Sequence, residues 1–85
     1  MFYVYLLQSE KDGSFYIGYT SNLELRIEEH NNGRGRHTKK KAPWSLVYVE
    51  RFETKKEALK RERFLKNQKN RAFYEKLMWG RSSVG

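Results

Sequence analysis

Two alternating segments at the start of the chain restrict its fold more than any other feature. Residues 2–8 and 14–20 are rich in Tyr, Phe, Val and Ile, a pattern typical of β-strands. The sequence Lys11-Asp12-Gly13-Ser14 lies between them and contains the Asp-Gly pair that favours a tight hairpin turn. The chain is therefore expected to begin with an antiparallel β-hairpin.

The length of the hairpin loop predicts which side chains share a face. An even number of loop residues places odd positions of the first strand beside even positions of the second, whereas an odd number breaks this match. With an even-length loop, one face carries Tyr5, Leu7, Tyr16, Gly18 and Thr20. Since glycine has no side chain, a ring or a phosphate can approach this face closely.

The remainder of the chain predicts one more strand and three helices. The expected elements are a helix from Ser21 to about Asn32, a strand from Trp44 to Phe52, a helix from Thr54 to about Asn67, and a last helix that Gly80 ends after Trp79. The first two helices open with Ser-x-x-Glu and Thr-x-x-Glu capping boxes. The predicted fold class is α+β, in the order ββαβαα, with a three-stranded antiparallel β-sheet flanked by helices. Residues 1–80 are expected to form one domain, with 81–85 as a disordered tail.

The charge of the chain indicates a polyanionic partner. Eighteen Lys and Arg face ten Asp and Glu, for a formal net charge of +8. A small basic domain usually binds nucleic acid and, more rarely, an anionic membrane surface. The chain has no cysteine, which excludes disulfides and zinc–thiolate sites and predicts a reducing, cytoplasmic location. No apolar run approaches the ~18 residues of a membrane-spanning helix.

A basic loop is expected between the first helix and the third strand. Its candidate nucleic-acid-binding residues are Arg34, Arg36, His37, Lys39, Lys40 and Lys41. Contacts from these side chains to phosphates would give an affinity that falls with salt and depends little on nucleotide sequence. A solvated loop without a ligand is the alternative.

Glu62 is the one acidic residue that the helix pattern does not explain. It projects from the apolar stripe of Ala58, Leu59 and Leu65 on the second capped helix. A buried carboxylate must be neutralised, paired or bound to metal. A single Mg²⁺ or Mn²⁺ ion, held by one carboxylate, several waters and a substrate phosphate, is one solution. A structural salt bridge to Arg26 or to a lysine is the other.

Four further polar groups are candidates for the same chemistry. Tyr5 and Tyr16 share the hairpin face with Gly18, while Arg26 and His30 lie one turn apart along a helix edge. Together with a metal at a carboxylate, such a set fits phosphodiester hydrolysis. A tyrosine could act as the base if neighbouring cations lower its pKa, or if it passes its proton through a metal-bound water. Each residue, taken alone, also has an ordinary structural explanation.

These residues together carry a resemblance to a known family. Tyr3-Val4-Tyr5, Tyr16-Ile17-Gly18, Arg26, His30 and Glu62 follow one another at spacings that resemble those of the GIY-YIG nuclease superfamily. In particular, the chain is similar to the small single-domain group called UPF0213. The first motif departs from the family pattern, because only its final tyrosine is preserved. The resemblance implies a three-stranded antiparallel sheet with flanking helices and metal-dependent cleavage of one DNA strand at a time.

The resemblance also implies a role for each matching residue. Tyr5 corresponds to the general base, Tyr16 lines the site or orients water, and Arg26 binds the phosphate. His30 is the histidine one helical turn later, and Glu62 is the single metal ligand. The asparagine that many members carry in their last helix has no clear equivalent, since Asn67 and Asn70 come too early in the chain.

The leading hypothesis is a magnesium-dependent (or manganese-dependent) DNA endonuclease that nicks one strand, for example in branched or damaged DNA during repair or recombination. RNA remains open as a substrate, and so does the oligomeric state. The first alternative is a non-catalytic nucleic-acid-binding or adaptor module, which would use the basic loop and Trp44 and rely on a partner protein for activity or specificity. The second is a purely structural domain, in which the five candidate catalytic residues do not share a cleft.

Overall fold

The computed structural model describes the backbone of residues 1–32 and 39–84, and the side chains of 1–32 and 39–78. The elements are β1 (Phe2–Ser9), β2 (Phe15–Thr20), α1 (Leu23–Asn31), a single 3₁₀ turn (Lys39–Lys41), β3 (Trp44–Phe52), α2 (Lys55–Gln68) and α3 (Arg71–Val84). Both neighbours of β1 pair with it antiparallel, so the sheet order is β2-β1-β3. The predicted α+β fold with one three-stranded antiparallel sheet is confirmed.

The hairpin register follows the expectation for an even-length loop. Tyr5 pairs with Gly18 and Leu7 with Tyr16, so these residues share one face of the sheet. The turn contains Gly13 at a φ of 77°, a left-handed conformation that glycine adopts without a steric penalty. Because side chains alternate along a strand, this register decides which residues face the candidate site.

The two faces of the sheet are covered by different helices. The larger core lies between the sheet and α2 and α3, and its buried residues are Val4, Leu6, Ile17, Ala58, Leu65 and Tyr74. On the opposite face, Tyr5, Leu7 and Trp44 are buried against Leu23 and Ile27 of α1, with Tyr16 beside them. Tyr5 and Tyr16 therefore lie on the sheet face that α1 covers, whereas Glu62 belongs to α2, whose buried residues pack on the other face.

Two helix ends differ from the sequence-based expectation. The N-cap of α1 is Asn22, whose side chain accepts a hydrogen bond from the Leu25 backbone N–H, so the prediction of Ser21 is wrong by one residue. Asn caps helices as well as Ser does, and the two residues are adjacent here. Helix α3 continues through Gly80 to Val84, so the predicted end at Gly80 is wrong.

The structure confirms Thr54 as the N-cap of α2. The Thr54 hydroxyl accepts a hydrogen bond from the Glu57 backbone N–H at 3.2 Å and donates one to the Glu57 carboxylate at 3.0 Å. Within the described part of the chain, no helix is both long enough and apolar enough to cross a membrane.

Candidate active site

A buried hydrogen bond between Tyr5 and His30 lies at the centre of the candidate site. The Tyr5 hydroxyl oxygen is 3.0 Å from His30 Nε2, and the two side chains are 2% and 4% exposed. Tyr5 comes from the central strand, where odd positions face α1, and His30 comes from the last turn of α1. The structure thus joins two candidate residues that are 25 positions apart in the sequence.

Tyr16 and Gly18 complete this cluster from the edge strand. The Tyr16 ring lies 4.8 Å from the His30 ring and 6.4 Å from the Tyr5 ring, measured between centroids. A Cβ atom at Gly18 would lie 2.5 Å from the Tyr5 hydroxyl and 2.7 Å from its Cζ atom. Because Tyr5 is packed directly over the backbone of residue 18, only glycine fits there.

The environment of Tyr5 opposes the expected activation of a tyrosine by cations. Burial raises the pKa of the Tyr5 hydroxyl, and the neighbouring Tyr16 adds to this effect. Arg26 lowers the pKa of Tyr5, as expected for a cation, whereas Glu62 and Glu29 raise it. The net direction is upward, so Tyr5 is a neutral phenol that can donate a hydrogen bond at neutral pH.

The pKa of His30 is lowered, in contrast to that of Tyr5. Burial lowers the pKa of His30, the Arg26 cation lowers it further, and Glu29 opposes both effects. An imidazole whose pKa lies below its usual value is neutral at pH 7. Neutral His30 has one ring nitrogen that accepts a hydrogen bond and one that donates, so it is able to accept a proton within this cluster.

Arg26 lies at the solvent side of the cluster. Its side chain is 47% exposed, and its guanidinium is 3.7 Å from the Glu29 carboxylate. It also lowers the pKa values of both Tyr5 and His30, which indicates that its charge is close to both rings. An exposed guanidinium beside a buried, hydrogen-bonded phenol and imidazole is well suited to bind a phosphate that approaches from solvent.

The side chain of Glu62 is partly buried. Its side chain is only 15% exposed, and its carboxylate is 3.5 Å from the Lys66 ammonium group. Glu62 contributes to raising the pKa of Tyr5, so its charge acts on the same cluster. Among the described residues, the ion pair of Glu62 is with Lys66 one helical turn later, and Arg26 pairs with Glu29 instead.

The carboxylate of Glu62 is compatible with a divalent metal. Within residues 1–32 and 39–78, no group of three or more His, Cys, Asp or Glu side chains is arranged to hold a metal ion. One mostly buried carboxylate, neutralised by a half-exposed lysine, fits an ion such as Mg²⁺ that keeps most of its waters. Glu62 would then be its protein ligand, together with oxygens of the substrate.

The predicted basic loop is only partly described. Arg34, Arg36 and His37 lie outside the described residues, whereas Lys39–Lys41 form an exposed 3₁₀ turn. The remaining contacts tie this turn to the β-hairpin: Lys41 Nζ donates to Ser14 Oγ at 3.1 Å and lies 3.6 Å from the Asp12 carboxylate. The Lys41 backbone carbonyl accepts a 2.6 Å hydrogen bond from the buried hydroxyl of Ser9. Lys41 therefore has a structural role in addition to the predicted contact with nucleic acid.

Trp44 does not have the surface position that the adaptor hypothesis requires. It is 4% exposed, and its ring packs 6.1 Å from Tyr16. Asn31, a residue that the sequence did not single out, holds its backbone: Asn31 Oδ1 accepts from the Trp44 N–H at 2.5 Å, and Asn31 Nδ2 donates to the Trp44 carbonyl at 3.3 Å. Stacking of Trp44 on a nucleotide base is excluded in this structure.

Of the two ion-pair partners that the sequence offers for Glu62, the structure shows the lysine and not Arg26. Glutamate followed by lysine four residues later is a favourable spacing for a helix ion pair. That spacing indicates Lys66 as the lysine.

Comparison with known proteins agrees with this arrangement. Residues 1–76 match the family model of the GIY-YIG catalytic domain. The chain belongs to the GIY-YIG family. A UPF0213 protein of Staphylococcus saprophyticus is 54% identical over 61 residues, which make up 71% of this chain and 73% of that protein. A UPF0213 protein of Clostridium perfringens is 52% identical over 67 residues, or 78% of this chain and 71% of that protein.

A solved structure resembles this GIY-YIG domain over most of its length. The solution NMR structure of a UPF0213 protein from Bacillus halodurans has a TM-score of 0.55 and 38% sequence identity to it. The similarity covers 91% of this chain and 82% of that chain. The resemblance to the GIY-YIG superfamily and its UPF0213 group, drawn from the sequence, is thereby confirmed. In this GIY-YIG domain the tyrosines of both motifs, Tyr5 and Tyr16, meet around Gly18 and His30.

Proposed function

We propose that this GIY-YIG domain is a divalent-metal-dependent DNA endonuclease that nicks one strand at a time, and that branched or damaged DNA is its substrate in repair or recombination. The observation that supports this most is the convergence of Tyr5, Tyr16 and His30 around Gly18, in a chain whose residues 1–76 match the catalytic domain of a nuclease family. The mostly buried carboxylate of Glu62 adds support, because its charge acts on Tyr5.

Each residue has a role that its surroundings support. Glu62 is the ligand of a single Mg²⁺ or Mn²⁺ ion, because its carboxylate is shielded from solvent and only partly neutralised by Lys66. When bound, such an ion polarises the scissile phosphate and activates water. Arg26 neutralises the charge that builds up on the phosphate in the transition state, since its guanidinium is exposed beside the cluster.

Tyr5 and His30 act together in proton transfer. A tyrosinate at Tyr5 is disfavoured, because burial raises the pKa of its hydroxyl. In the tautomer that carries its proton on Nδ1, His30 accepts the Tyr5 O–H at Nε2. Tyr5 can therefore take a proton from the attacking water while it passes its own to His30, and no free phenolate is needed. Tyr16 packs against His30 and holds the ring in place.

A plasmid-nicking assay tests this proposal. Supercoiled plasmid and branched duplexes are incubated with Mg²⁺ or Mn²⁺ and with the wild type or the Glu62→Gln, Tyr5→Phe and His30→Gln variants. We expect Glu62→Gln to abolish nicking while DNA binding stays intact or becomes stronger. Loss of the proton-transfer residue in Tyr5→Phe or His30→Gln is expected to slow nicking by about 10²–10⁴-fold.

The matched control for Glu62→Gln is Glu53→Gln. Glu53 is an exposed carboxylate just before α2, so the same chemical change should leave nicking at the wild-type rate. Identical purification of both variants separates intrinsic activity from a contaminating nuclease. Equal cleavage by Glu62→Gln and wild type would contradict the role of Glu62 as metal ligand.

The near-complete burial of Tyr5 favours one alternative function. A phenol that is 2% exposed and has a raised pKa could be a purely structural group in a nucleic-acid-binding or adaptor module that lacks catalysis. Wild-type protein that binds DNA but never nicks it, with either metal and on every substrate, would favour this module. If addition of a partner protein restores nicking, the cluster of Tyr5, Tyr16 and His30 would again be assigned as the catalytic site.

A further inference from the structure

The solvent face of α2 carries a row of basic side chains. Lys56, Lys60 and Arg63 are spaced four and three residues apart, so they lie along one side of the helix, opposite the buried Ala58 and Leu65. All three are exposed, and they line a shallow groove together with Leu59. We call Lys56, Lys60 and Arg63 the α2 basic face.

The basic side chains elsewhere in the described part of the chain are frequently paired. Ion pairs join Arg26 to Glu29, Lys41 to Asp12, Arg61 to Glu50, Lys66 to Glu62 and Arg71 to Glu75. None of the three residues of the α2 basic face makes such a pair with another described residue. An anionic ligand would therefore meet them without having to break an ion pair.

The two helices beside the candidate site have opposite charge. Helix α1 carries Glu24, Glu28 and Glu29 against a single arginine, whereas α2 carries six basic residues against two acidic ones. A polyanion held at the site is repelled by the outer surface of α1 and attracted by α2. This asymmetry selects the direction in which a bound DNA strand leaves the site.

The α2 basic face is continuous with the candidate metal ligand. Arg63 follows Glu62 in the sequence, and Lys66, the partner of Glu62 at 3.5 Å, lies between these two residues on the helix surface. At about 1.5 Å per residue, Lys56 and Arg63 are ~10 Å apart along the helix axis. With a rise of ~3.4 Å per nucleotide, this row spans about three phosphates of one strand.

We infer that the α2 basic face binds the phosphodiester backbone of duplex DNA next to the phosphate that is held at Glu62. The inference rests on the proposed function and adds the side of the domain over which the substrate runs. It also assigns a DNA contact in addition to the basic loop, because Lys60 and Arg63 belong to a different element. The contact is with backbone and not with bases, so it gives affinity without sequence preference.

Salt-dependent binding tests this inference. Binding of a fluorescent duplex is measured by anisotropy from 50 to 200 mM salt, with EDTA present so that the DNA stays intact. The variant is Lys60→Gln/Arg63→Gln, and the matched control is Lys76→Gln/Arg51→Gln. The control also removes one lysine and one arginine, both exposed, but neither of them lies on α2.

The variant should lose the phosphate contacts of Lys60 and Arg63, whereas the control should keep them. Each contact contributes about 0.9 to the slope of log affinity against log salt, so the variant slope should be shallower by up to ~1.8. Between 50 and 200 mM salt the variant should then lose up to roughly tenfold less affinity than the control. An unchanged slope, or an equal loss in the control, would overturn the inference and leave only an effect of net charge.

A crosslinking experiment tests the position of the DNA directly. The natural chain has no cysteine, so Lys60→Cys and Lys76→Cys each introduce a single site for a photoactivatable reagent. We expect efficient crosslinks from position 60 to a nicked or branched duplex, clustered on one side of the cleavage point, and few from position 76. Equal crosslinking from both positions would contradict a defined path over α2.

The outcomes separate this inference from the proposed nuclease function. If the wild type nicks DNA but Lys60→Gln/Arg63→Gln keeps the wild-type salt slope, only the binding face is wrong. If the wild type binds DNA through this face but never nicks it, the binding inference is correct and the proposed nuclease function is wrong. Vesicles of anionic phospholipid that compete with DNA at equal phosphate and bind more tightly would assign the face to a membrane surface and overturn the inference.

Discussion

Replacement of Gly18 by alanine tests the arrangement of the cluster most directly. The added Cβ atom would lie 2.5 Å from the Tyr5 hydroxyl and 2.7 Å from its Cζ atom, whereas ordinary contact begins at 3.4 Å. The Tyr5 ring must therefore move by about 0.9 Å or more, in a site without free space. Since the ring is held by a 3.0 Å hydrogen bond to His30, the movement must also disturb that bond.

The expected cost follows from these two effects. Overpacking of a well-packed site costs about 1–3 kcal/mol, and the loss of a buried hydrogen bond adds about 1 kcal/mol. We therefore expect Gly18→Ala to lower the free energy of unfolding by about 2–4 kcal/mol. A domain with a total stability of roughly 5–15 kcal/mol would remain folded, so the loss can be measured.

Urea unfolding of four proteins provides the assay. The wild type, Gly18→Ala, Tyr5→Leu and the double variant form a cycle in which Tyr5→Leu removes the two atoms nearest to the new Cβ. The third contact, with Tyr16 Cε1 at 3.3 Å, remains in both backgrounds. We expect the cost of Gly18→Ala to fall below about 1 kcal/mol in the Tyr5→Leu background. The same cost in both backgrounds would refute the reasoning that Tyr5 lies over residue 18.

Gly13→Ala is the control for this cycle. Its cost arises from the backbone, because residue 13 has a φ of 77° that an L side chain rarely adopts. We expect that cost to be the same with and without Tyr5→Leu. A change in the Gly13 cost would indicate that Tyr5→Leu perturbs the whole hairpin.

Three further predictions concern pH, an interface and an ion pair. Because burial lowers the pKa of His30, the unfolded chain binds more protons near neutral pH, and stability that is complete above a pH of about 6.5 falls as the pH drops below it. Urea unfolding at pH 7.5 and 5.5 should show a smaller pH effect in His30→Gln, and an equal effect would contradict a neutral buried imidazole. Asn31→Ala removes both hydrogen bonds to the Trp44 backbone and should cost about 1–3 kcal/mol, with a red-shifted tryptophan fluorescence. Arg61→Met breaks a bidentate pair to Glu50, with both contacts at 3.0 Å, and should cost about 1–3 kcal/mol at low salt; Arg61→Lys should recover only part of it.

Local chemistry made much of the fold predictable. The hairpin register could be derived because side chains alternate strictly along a strand, so the parity of the loop length decides which residues share a face. The N-cap of α2 is Thr54 as predicted, because its hydroxyl accepts a hydrogen bond from the Glu57 backbone N–H in the first turn. The start of α1 was missed by one residue, since Asn22 caps the helix as well as Ser21 would.

The identity of the site residues was easier to predict than their burial and their pKa values. The excess of basic residues in the sequence favoured a tyrosine with a lowered pKa, yet burial of Tyr5 outweighs the neighbouring Arg26 cation and raises it. The adaptor hypothesis used Trp44 together with the basic loop, but Trp44 lies in the core under α1. Exposure of a single side chain depends on which elements cover it, and periodicity does not contain that information.

The sequence by itself determined the strands, the faces of the hairpin and the family, because those follow from spacing along one chain. It also identified Glu62 as a carboxylate that needs a cation, since helical periodicity alone puts it beside an apolar stripe. Only tertiary structure decided that Tyr5 meets His30 across 25 residues and that Glu62 does not pair with Arg26. The physical reason is that hydrogen bonds and electrostatic shifts depend on distances and on burial, which exist only after the helices have packed on the sheet.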